Sequence, residues 1–218
     1  MTASPNRLDA AYWAARYQQG ETGWDLSGPT PALVWLLQEK YFPVKPPATI
    51  LVPGCGYGHD ALLLATEGYT VTALDWAPEP LTALKQNAPP TLHTCCADFF
   101  DHAQASPSTY HAIWEYTFYC AITPEEREAY FAAISELLKA DGYWIALLFP
   151  LGSQPYEVGP PFALSLEETR RLAAQYGLIE RHAFPQAPSH PARQGREILT
   201  IFQKNETQAE SQKIVCAL

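Results

Sequence analysis

The fold is decided by the segment Ile50-Leu51-Val52-Pro53-Gly54-Cys55-Gly56-Tyr57-Gly58-His59-Asp60. Its first residues have the apolar pattern of a strand, and three alternate glycines then lead into a helix. Glycines at such a turn let the backbone approach a ligand closely, at the carboxyl edge of a parallel sheet. The spacing differs from the G-x-G-x-x-G of dinucleotide-binding folds because His59 stands where the third glycine is needed. The alternative is a purely structural turn.

Patterns on both sides of this segment alternate between strand and helix. The predicted strands of a parallel sheet are 49–52, 69–74, 92–96, 112–116 and 143–149. Two predicted helices cover 60–67 and 79–86. A third begins at a capping box formed by Thr123 and Glu126, and a fourth runs from Ser165 to Gly177, with Glu168 as the box partner of Ser165. Two late strands, 178–184 and 197–202, have no helix between them, which predicts an antiparallel hairpin at the sheet edge. The sequence therefore predicts an α/β fold with a doubly wound, mostly parallel sheet.

Two helices are predicted before the sheet. The first covers 9–19 and carries Trp13 and Tyr17 four residues apart, which is also the spacing of a simple packed stripe. The second begins with Thr30 as its N-cap, followed by a proline at the first helical position. Trp24 lies between the two helices in a glycine-rich segment, where a large aromatic side chain has less core to fill.

The composition excludes several classes of protein. The 14 Lys and Arg against 23 Asp and Glu give a net charge of −9, which argues against a nucleic-acid partner. No apolar stretch is long enough to span a bilayer and the N-terminus shows no targeting segment, so we expect a cytoplasmic protein without a membrane partner. The five cysteines are odd in number and lack metal-site spacing, so we expect free thiols in a reducing compartment and no metal.

Acidic residues follow the second and third predicted strands. Asp75 ends the second strand, where a carboxylate can accept the hydroxyls of a ribose. Its alternative role is to cap the helix that begins near Pro78. After the third strand, Asp98 can accept a hydrogen bond from an exocyclic amine beside the aromatic face of Phe99. Together these positions are consistent with a nucleoside ligand that contains adenine.

These features carry a resemblance to a known family. The glycine segment, Asp75, the Asp98-Phe99 pair and the aromatic fourth strand resemble the successive motifs of class I S-adenosylmethionine-dependent methyltransferases. The narrower motifs are Trp13-x-x-x-Tyr17, Gly20-x-Thr22-x-Trp24-Asp25, Val52-Pro53-Gly54-Cys55-Gly56, Tyr119-Cys120-Ala121-Ile122 and Gly159-Pro160-Pro161. They resemble the thiopurine S-methyltransferase superfamily, and within it most closely the plant-type thiol and halide methyltransferases. The resemblance runs from about residue 11 to about residue 204.

The resemblance implies a seven-stranded sheet with one antiparallel strand and S-adenosylmethionine as methyl donor. It implies one domain over 1–204, with helices of about 9–40 as a lid, followed by a polar tail over 205–218. The cofactor-binding residues that it implies are Trp13, Tyr17, Trp24, Gly54, Gly56, Gly58, Asp75, Trp76, Asp98, Phe99, Glu115 and Tyr116. Two departures stand out: Tyr17 replaces a usual tryptophan, and Glu115-Tyr116 replaces the Asp-Arg of thiopurine methyltransferases. The lost arginine favours the thiol and halide branch.

The remaining predictions concern the acceptor. An aromatic lid can hold a sulfonium by its positive charge and exclude water from the transfer. We predict that the hydroxyls of Tyr116 and Tyr119 orient the nucleophile, although both side chains also suit a core. A basic loop in this acidic chain places Arg193 and Arg196 where they can attract an anion, or simply in solvent. The predicted substrate-binding residues are Trp24, Tyr119 and Arg193.

The sequence thus predicts a methyltransferase that acts on a small sulfur or halide nucleophile, such as a thiol, thiocyanate or a halide ion. Alternatives are an aromatic thiopurine acceptor, a nicotinamide-dependent oxidoreductase and a catalytically silent module that only binds the cofactor. The predicted partner is a small-molecule acceptor, with neither nucleic acid nor membrane. We expect a monomer or a weak homodimer.

Overall fold

The computed structural model describes residues 8–152 and 159–205, which form seven helices and seven strands with three short 3-10 turns. The helices are α1 (Ala10–Gln19), α2 (Pro31–Gln38), α3 (His59–Thr66), α4 (Pro78–Lys85), α5 (Phe99–Ala105), α6 (Arg127–Leu137) and α7 (Leu166–Gln175). The strands are β1 (Thr49–Pro53), β2 (Thr70–Asp75), β3 (Leu92–Cys96), β4 (Tyr110–Tyr116), β5 (Leu138–Leu148), β6 (Leu178–Phe184) and β7 (Ile198–Lys204). The 3-10 turns are Tyr119–Ala121, Pro124–Glu126 and Pro191–Arg193.

The strands form one sheet in the order β3-β2-β1-β4-β5-β7-β6. Strands β1 to β5 pair in parallel, and β7 is antiparallel to both of its neighbours, β5 and β6. The predicted doubly wound sheet with an antiparallel edge hairpin is confirmed. Strand order reverses between β1 and β4, and open α/β sheets bind ligands beyond the carboxyl ends of the strands at such a switch point.

The sheet is buried on both faces. Alternate side chains of β1 point to opposite sides, so Leu51 packs in one core cluster with Tyr130 of α6. Ile50 of the same strand packs in the other cluster, with Leu33 of α2 and Leu64 of α3. A central strand that is apolar along its whole length is typical of a parallel sheet covered by helices, and it explains why the strand pattern was readable from the sequence.

The predicted cap at Ser165 is confirmed, since its hydroxyl accepts from the amide of Glu168, but the side chains of Thr30 and Thr123 make no cap hydrogen bond. Thr30 is the N-cap of α2, but its hydroxyl and its amide donate to the carboxylate of Asp60 at 3.2 and 2.7 Å. The hydroxyl of Thr123 donates to the Glu126 carboxylate, and the turn that follows is 3-10, so α6 begins only at Arg127. The predicted capping box therefore closes between two side chains and caps no helix.

Helix α5 was not predicted. It has seven residues, and the carboxylate of Asp98 accepts from the amides of Phe100 and Asp101 at its start.

The predicted tail lies outside the described residues from position 206 onward, as do the N-terminal residues 1–7 and positions 153–158 of the Pro/Gly-rich loop. In the described part of the chain, no helix is long and apolar enough to cross a membrane.

Candidate active site

A cavity of about 460 Å³ opens at the carboxyl edge of the sheet, beside the switch point. Its volume lies in the range of small-molecule sites. The walls come from the N-terminal segment, the ends of β1 to β4 and the loop before β7. Its lining residues include Trp13, Arg16, Tyr17, Trp24, Gly54, Asp75, Trp76, Asp98, Phe99, Thr117, Phe118, Phe149, Arg193 and Arg196. The fold thus brings together most of the residues that the sequence predicted at a site.

Two glycines of the turn after β1 are required by close contacts. Gly54 has a φ of +58°, and a Cβ on it would lie 2.6 Å from the ring of Phe118. Gly58 has a φ of +77°, and a Cβ there would lie 2.4 Å from the side chain of Leu84. Gly54 lines the main cavity, whereas Gly58 lines neither cavity and leaves room for Leu84 of α4 at the start of α3. Gly56 lines a smaller second cavity of about 60 Å³.

Asp75 connects the glycine turn to the end of β2. Its side chain accepts from the amide of Gly56 and from the amide of Ala77, both at 2.9 Å. Burial raises the pKa of this carboxyl group, and the hydrogen bonds from the amides oppose the shift. Each carboxylate oxygen has a second lone pair, so Asp75 can still accept hydroxyl groups from the cavity. Ala77, and not Asp75, is the N-cap of α4.

Asp98 and Phe99, which follow β3, both line the cavity and make contacts that hold the fold. Asp98 caps α5 and also lines the cavity, next to the ring of Phe99. The Phe99 ring is held by an edge contact with Phe118 at 5.1 Å between centroids. Trp76 follows β2 and forms the neighbouring wall. These three predicted cofactor residues therefore share one end of the cavity.

The predicted lid residues pack on each other above the cavity. The Trp24 ring makes edge-to-face contacts with Trp13 at 5.6 Å and with Tyr17 at 5.4 Å. All three line the cavity, and no residue of α1 is fully buried. The alternative of a core stripe does not describe this position, because the aromatic face covers the cavity and not the sheet.

Arg193 is the most deeply buried cation of the cavity wall, with 5% of its surface exposed. Its Nη2 donates to the carbonyl of Trp24 at 2.8 Å, so it holds the lid segment to the loop before β7. Its guanidinium carbon lies 4.4 Å from the centre of the Phe149 ring, and Arg196 approaches the same ring at 4.9 Å. The Nη1 of Arg193 has no hydrogen-bond partner among the described residues. The cavity wall therefore contains two arginines on Phe149, one of which has a donor without a hydrogen-bond partner among the described residues.

Besides Gly56 and Gly58, three further predicted site residues do not line the main cavity. Tyr119 is 1% exposed and stacks on Tyr130 at 4.9 Å, so its ring belongs to the core and does not line either cavity. Glu115 is equally buried: one carboxylate oxygen accepts from the amides of residues 118 and 119, and the other accepts from the Tyr130 hydroxyl. Tyr116 lines only the second cavity, and its hydroxyl donates to Glu197 at 2.7 Å. The end of β4 and the turn that follows it therefore direct these three side chains away from the main cavity.

Sequence reasoning missed several cavity residues, among them Phe118, Phe149, Arg16 and Thr117. Arg16 lies one turn after Trp13 on the same face of α1, which is the signal that could have identified it. Thr117 follows β4 directly and lines both cavities, but it sits between two tyrosines that drew attention as hydroxyl donors.

Other predictions remain open. Within the described ranges, no group of three or more His, Cys, Asp or Glu residues is suited to hold a metal ion, and the absence of a metal stays a prediction. The four described cysteines are free thiols. The oligomeric state and the location in the cell also stay predictions.

Known structures with a similar fold define the class. The chain superposes on a 1,6-didemethyltoxoflavin-N1-methyltransferase of Burkholderia thailandensis, solved with S-adenosylhomocysteine, with a TM-score of 0.73 and 18% identity, covering 94% of each chain. It also superposes on a TehB-like S-adenosylmethionine-dependent methyltransferase of Corynebacterium glutamicum, with a TM-score of 0.63 and 22% identity, covering 90% of this chain and 98% of that chain. The fold is that of the class I methyltransferases.

Sequence comparison narrows the class to a family. Residues 8–204 match the family described as thiopurine S-methyltransferase, and the chain belongs to this family. It is 30% identical over 200 residues to a probable thiol methyltransferase 2 of Arabidopsis thaliana, covering 89% of this chain and 85% of the relative. It is 29% identical over 210 residues to thiocyanate methyltransferase 1 of Brassica oleracea, covering 92% and 88%. The chain is therefore an S-adenosylmethionine-dependent methyltransferase, and the oxidoreductase alternative is wrong.

Proposed function

We propose that this methyltransferase transfers a methyl group to a small anionic nucleophile, either a thiolate, thiocyanate or a halide. The observation that carries the proposal is the Nη1 of Arg193, a buried cationic donor of the cavity wall that has no hydrogen-bond partner among the described residues. A buried guanidinium nitrogen that lacks a partner is costly unless a ligand completes its hydrogen bonds. Relatives named as thiol and thiocyanate methyltransferases support the same acceptor class.

The residues present fit the methyl donor. Gly54 lines the cavity with backbone, Asp75 offers carboxylate lone pairs, and Asp98 with Phe99 offers an acceptor beside an aromatic face. When bound, S-adenosylmethionine supplies an electrophilic methyl group on a positively charged sulfur. Asp75 would hold its ribose hydroxyls and the Asp98 end its adenine. The aromatic faces of Trp13, Tyr17 and Trp24 would attract the sulfonium and exclude water.

At the other end, the arginines act on the acceptor. Arg193 and Arg196 raise the local concentration of anions and stabilise the thiolate form of a thiol, because a nearby cation lowers its pKa. Thiols already ionise near neutrality, so positioning in the cavity can replace a strong general base. Phe149 beneath both guanidiniums keeps this end apolar, which strengthens the attraction between the guanidinium and an anion.

The test has two stages. Calorimetry with S-adenosylhomocysteine first measures binding to the donor site. Turnover with labelled S-adenosylmethionine is then measured on small thiols, thiocyanate, iodide and thiopurines. We expect turnover on the small anions, with a loss of about ten-fold or more in kcat/KM for Arg193→Met. Arg171→Met, at an exposed arginine of α7, is the matched control and should keep full activity.

Two results would contradict the proposal. Preference for thiopurines, with Arg193→Met fully active, would favour the aromatic-thiol alternative. Donor binding without turnover on any acceptor would favour a silent binding module.

A further inference from the structure

The backbone at Thr117 is in the left-handed region, with a φ of +62°. This conformation brings the Cβ of an L-residue close to a carbonyl oxygen, and a β-branched side chain tolerates it least. The described residues contain five non-glycine positions with positive φ: Ser27, Lys40, Ser108, Thr117 and Asp141. Of these five, Thr117 is the only β-branched residue and the only one that lines a cavity.

The surroundings of Thr117 hold it in this conformation. A single oxygen of the buried Glu115 carboxylate accepts from the amides of Phe118 and Tyr119, at 2.9 and 2.7 Å. The Phe118 ring fills the space beside Gly54, so the turn cannot move toward β1. Backbone strain that several neighbours maintain is typical of functional sites. Glycine would adopt this φ freely, so the strain at Thr117 points to a role for its side chain.

The position of Thr117 suits contact with the acceptor. It follows β4 at the switch point and lies where the main cavity meets the second one. Its hydroxyl makes no hydrogen bond to another described residue, whereas the hydroxyl of Tyr116 is engaged by Glu197 and that of Tyr119 is in the core. Apart from Tyr17 in the lid, Thr117 carries the only hydroxyl among the described residues that line the main cavity.

We infer that Thr117 is a further substrate-contacting residue, whose hydroxyl donates a hydrogen bond to the acceptor nucleophile and orients it for attack. This inference rests on the proposed function, because it assigns Thr117 to the same acceptor site. Glu115 is then a positioning residue, which acts by holding the turn. Neither residue takes up a proton in this role.

Three variants separate the hydroxyl from the shape of the side chain. Thr117→Val keeps the β-branch and loses the hydroxyl, Thr117→Ser keeps the hydroxyl, and Thr117→Gly relaxes the backbone and loses the side chain. At saturating S-adenosylmethionine, we expect kcat/KM for the acceptor to fall about ten-fold in the Val and Gly variants and to stay within about three-fold in the Ser variant. Affinity for S-adenosylhomocysteine should stay within about two-fold in all three.

A matched control tests the strain itself. Ser108 is exposed, has a φ of +49° and lies outside both cavities. Ser108→Gly should raise the melting temperature, as Thr117→Gly should, because both substitutions relax a left-handed residue. Only the Thr117 variant should lose activity.

The outcomes distinguish the two levels of the proposal. If Thr117→Val keeps the full kcat/KM for the acceptor, the inference is overturned while the proposed function stands. The same holds if the variant loses S-adenosylhomocysteine affinity by the same factor as kcat/KM, since that loss would indicate that Thr117 only packs against the donor site. If Thr117→Val does not fold, Thr117→Gly decides by the same criteria. Wild-type protein that binds S-adenosylhomocysteine but methylates no small anion overturns both.

Discussion

The two turns that face each other across the switch point use opposite means to reach the same backbone conformation. After β1, left-handed residues are glycines, with φ between +54° and +77° at Gly54, Gly56 and Gly58. After β4, the left-handed residue is Thr117, and a buried carboxylate holds its turn. The first turn makes room for neighbouring side chains and lines the cavity with the backbone of Gly54, whereas the second supplies a side chain. A site can therefore be evident in sequence on one side and hidden on the other.

The largest effect is expected from a substitution in the glycine turn after β1. In Gly54→Ala, the new Cβ would overlap the Phe118 ring in a backbone conformation that alanine rarely adopts. We expect a loss of about 2–5 kcal/mol in the free energy of unfolding, from strain plus overpacking, and no measurable binding of S-adenosylhomocysteine. Urea unfolding and calorimetry measure the two effects.

Gly177→Ala is the matched control for this variant. Gly177 has a φ of +76°, but its added Cβ would meet only an ordinary contact at 3.6 Å, far from the cavity. It should lose about 1–2 kcal/mol and retain binding. Equal losses in the two variants would show that the contact with Phe118 contributes nothing.

The turn after β1 is also the part of the site that the sequence could predict. A strand that is buried along its length and a turn that only glycine can make each leave a residue pattern, and Asp75 follows at the next strand end. Trp13, Tyr17 and Trp24 line one cavity, on the side where the resemblance implied a lid, although the spacing of Trp13 and Tyr17 alone suits a packed stripe equally well.

The β4 side could not be predicted, because strand periodicity stops where the turn begins. Nothing in the order Glu115-Tyr116-Thr117-Phe118-Tyr119 says which side chain faces the cavity, and the two tyrosines were chosen over the threonine. The direction is set by the contacts of Glu115 with distant Tyr130 and of Phe118 with Gly54. Helix α5 was missed for a related reason: it is short, and its cap at Asp98 had been read as a ligand contact.

The second prediction asks whether Asp75 serves the ligand or only the turn. Asp75→Ala removes the acceptor for Gly56 and Ala77 and the lone pairs that face the cavity. We expect affinity for S-adenosylhomocysteine to fall by about 1–3 kcal/mol through lost charge-assisted hydrogen bonds, as measured by calorimetry. Unchanged affinity in a less stable protein would reduce Asp75 to a structural link between β2 and the glycine turn.

The third prediction concerns the lid that lies over the glycine turn. Trp24→Ala removes the ring that joins Trp13 and Tyr17, and should weaken S-adenosylhomocysteine binding by about 1–2 kcal/mol with little change in melting temperature. Trp35→Ala is the control, since Trp35 packs on Tyr41 and Phe184, and neither it nor these two rings lines a cavity. It should lower the melting temperature and leave binding intact. The reverse pattern would assign Trp24 to the core.

The smallest effect tests the carboxylate that holds the β4 turn. Burial raises the pKa of Glu115 from 4.5 to about 7, so the folded protein binds its proton more tightly than the unfolded chain does. The stability from this group is fully present below pH 4.5 and is lost as the pH rises through about 7. Between pH 8 and pH 6, the wild type should therefore gain about 1 kcal/mol relative to Glu115→Gln, measured by urea unfolding at both values.

Glutamine suits this comparison because one of its atoms can still accept from both amides of the turn while the other donates to the Tyr130 oxygen. The variant should therefore keep the fold and the conformation of Thr117 and lose only the titration. The other buried carboxyl groups with raised pKa, Asp60 and Asp75, are present in both proteins, so their contributions cancel in the difference. An identical pH dependence in the two proteins would mean that Glu115 stays ionised in its pocket, held by the three donors against the cost of burial.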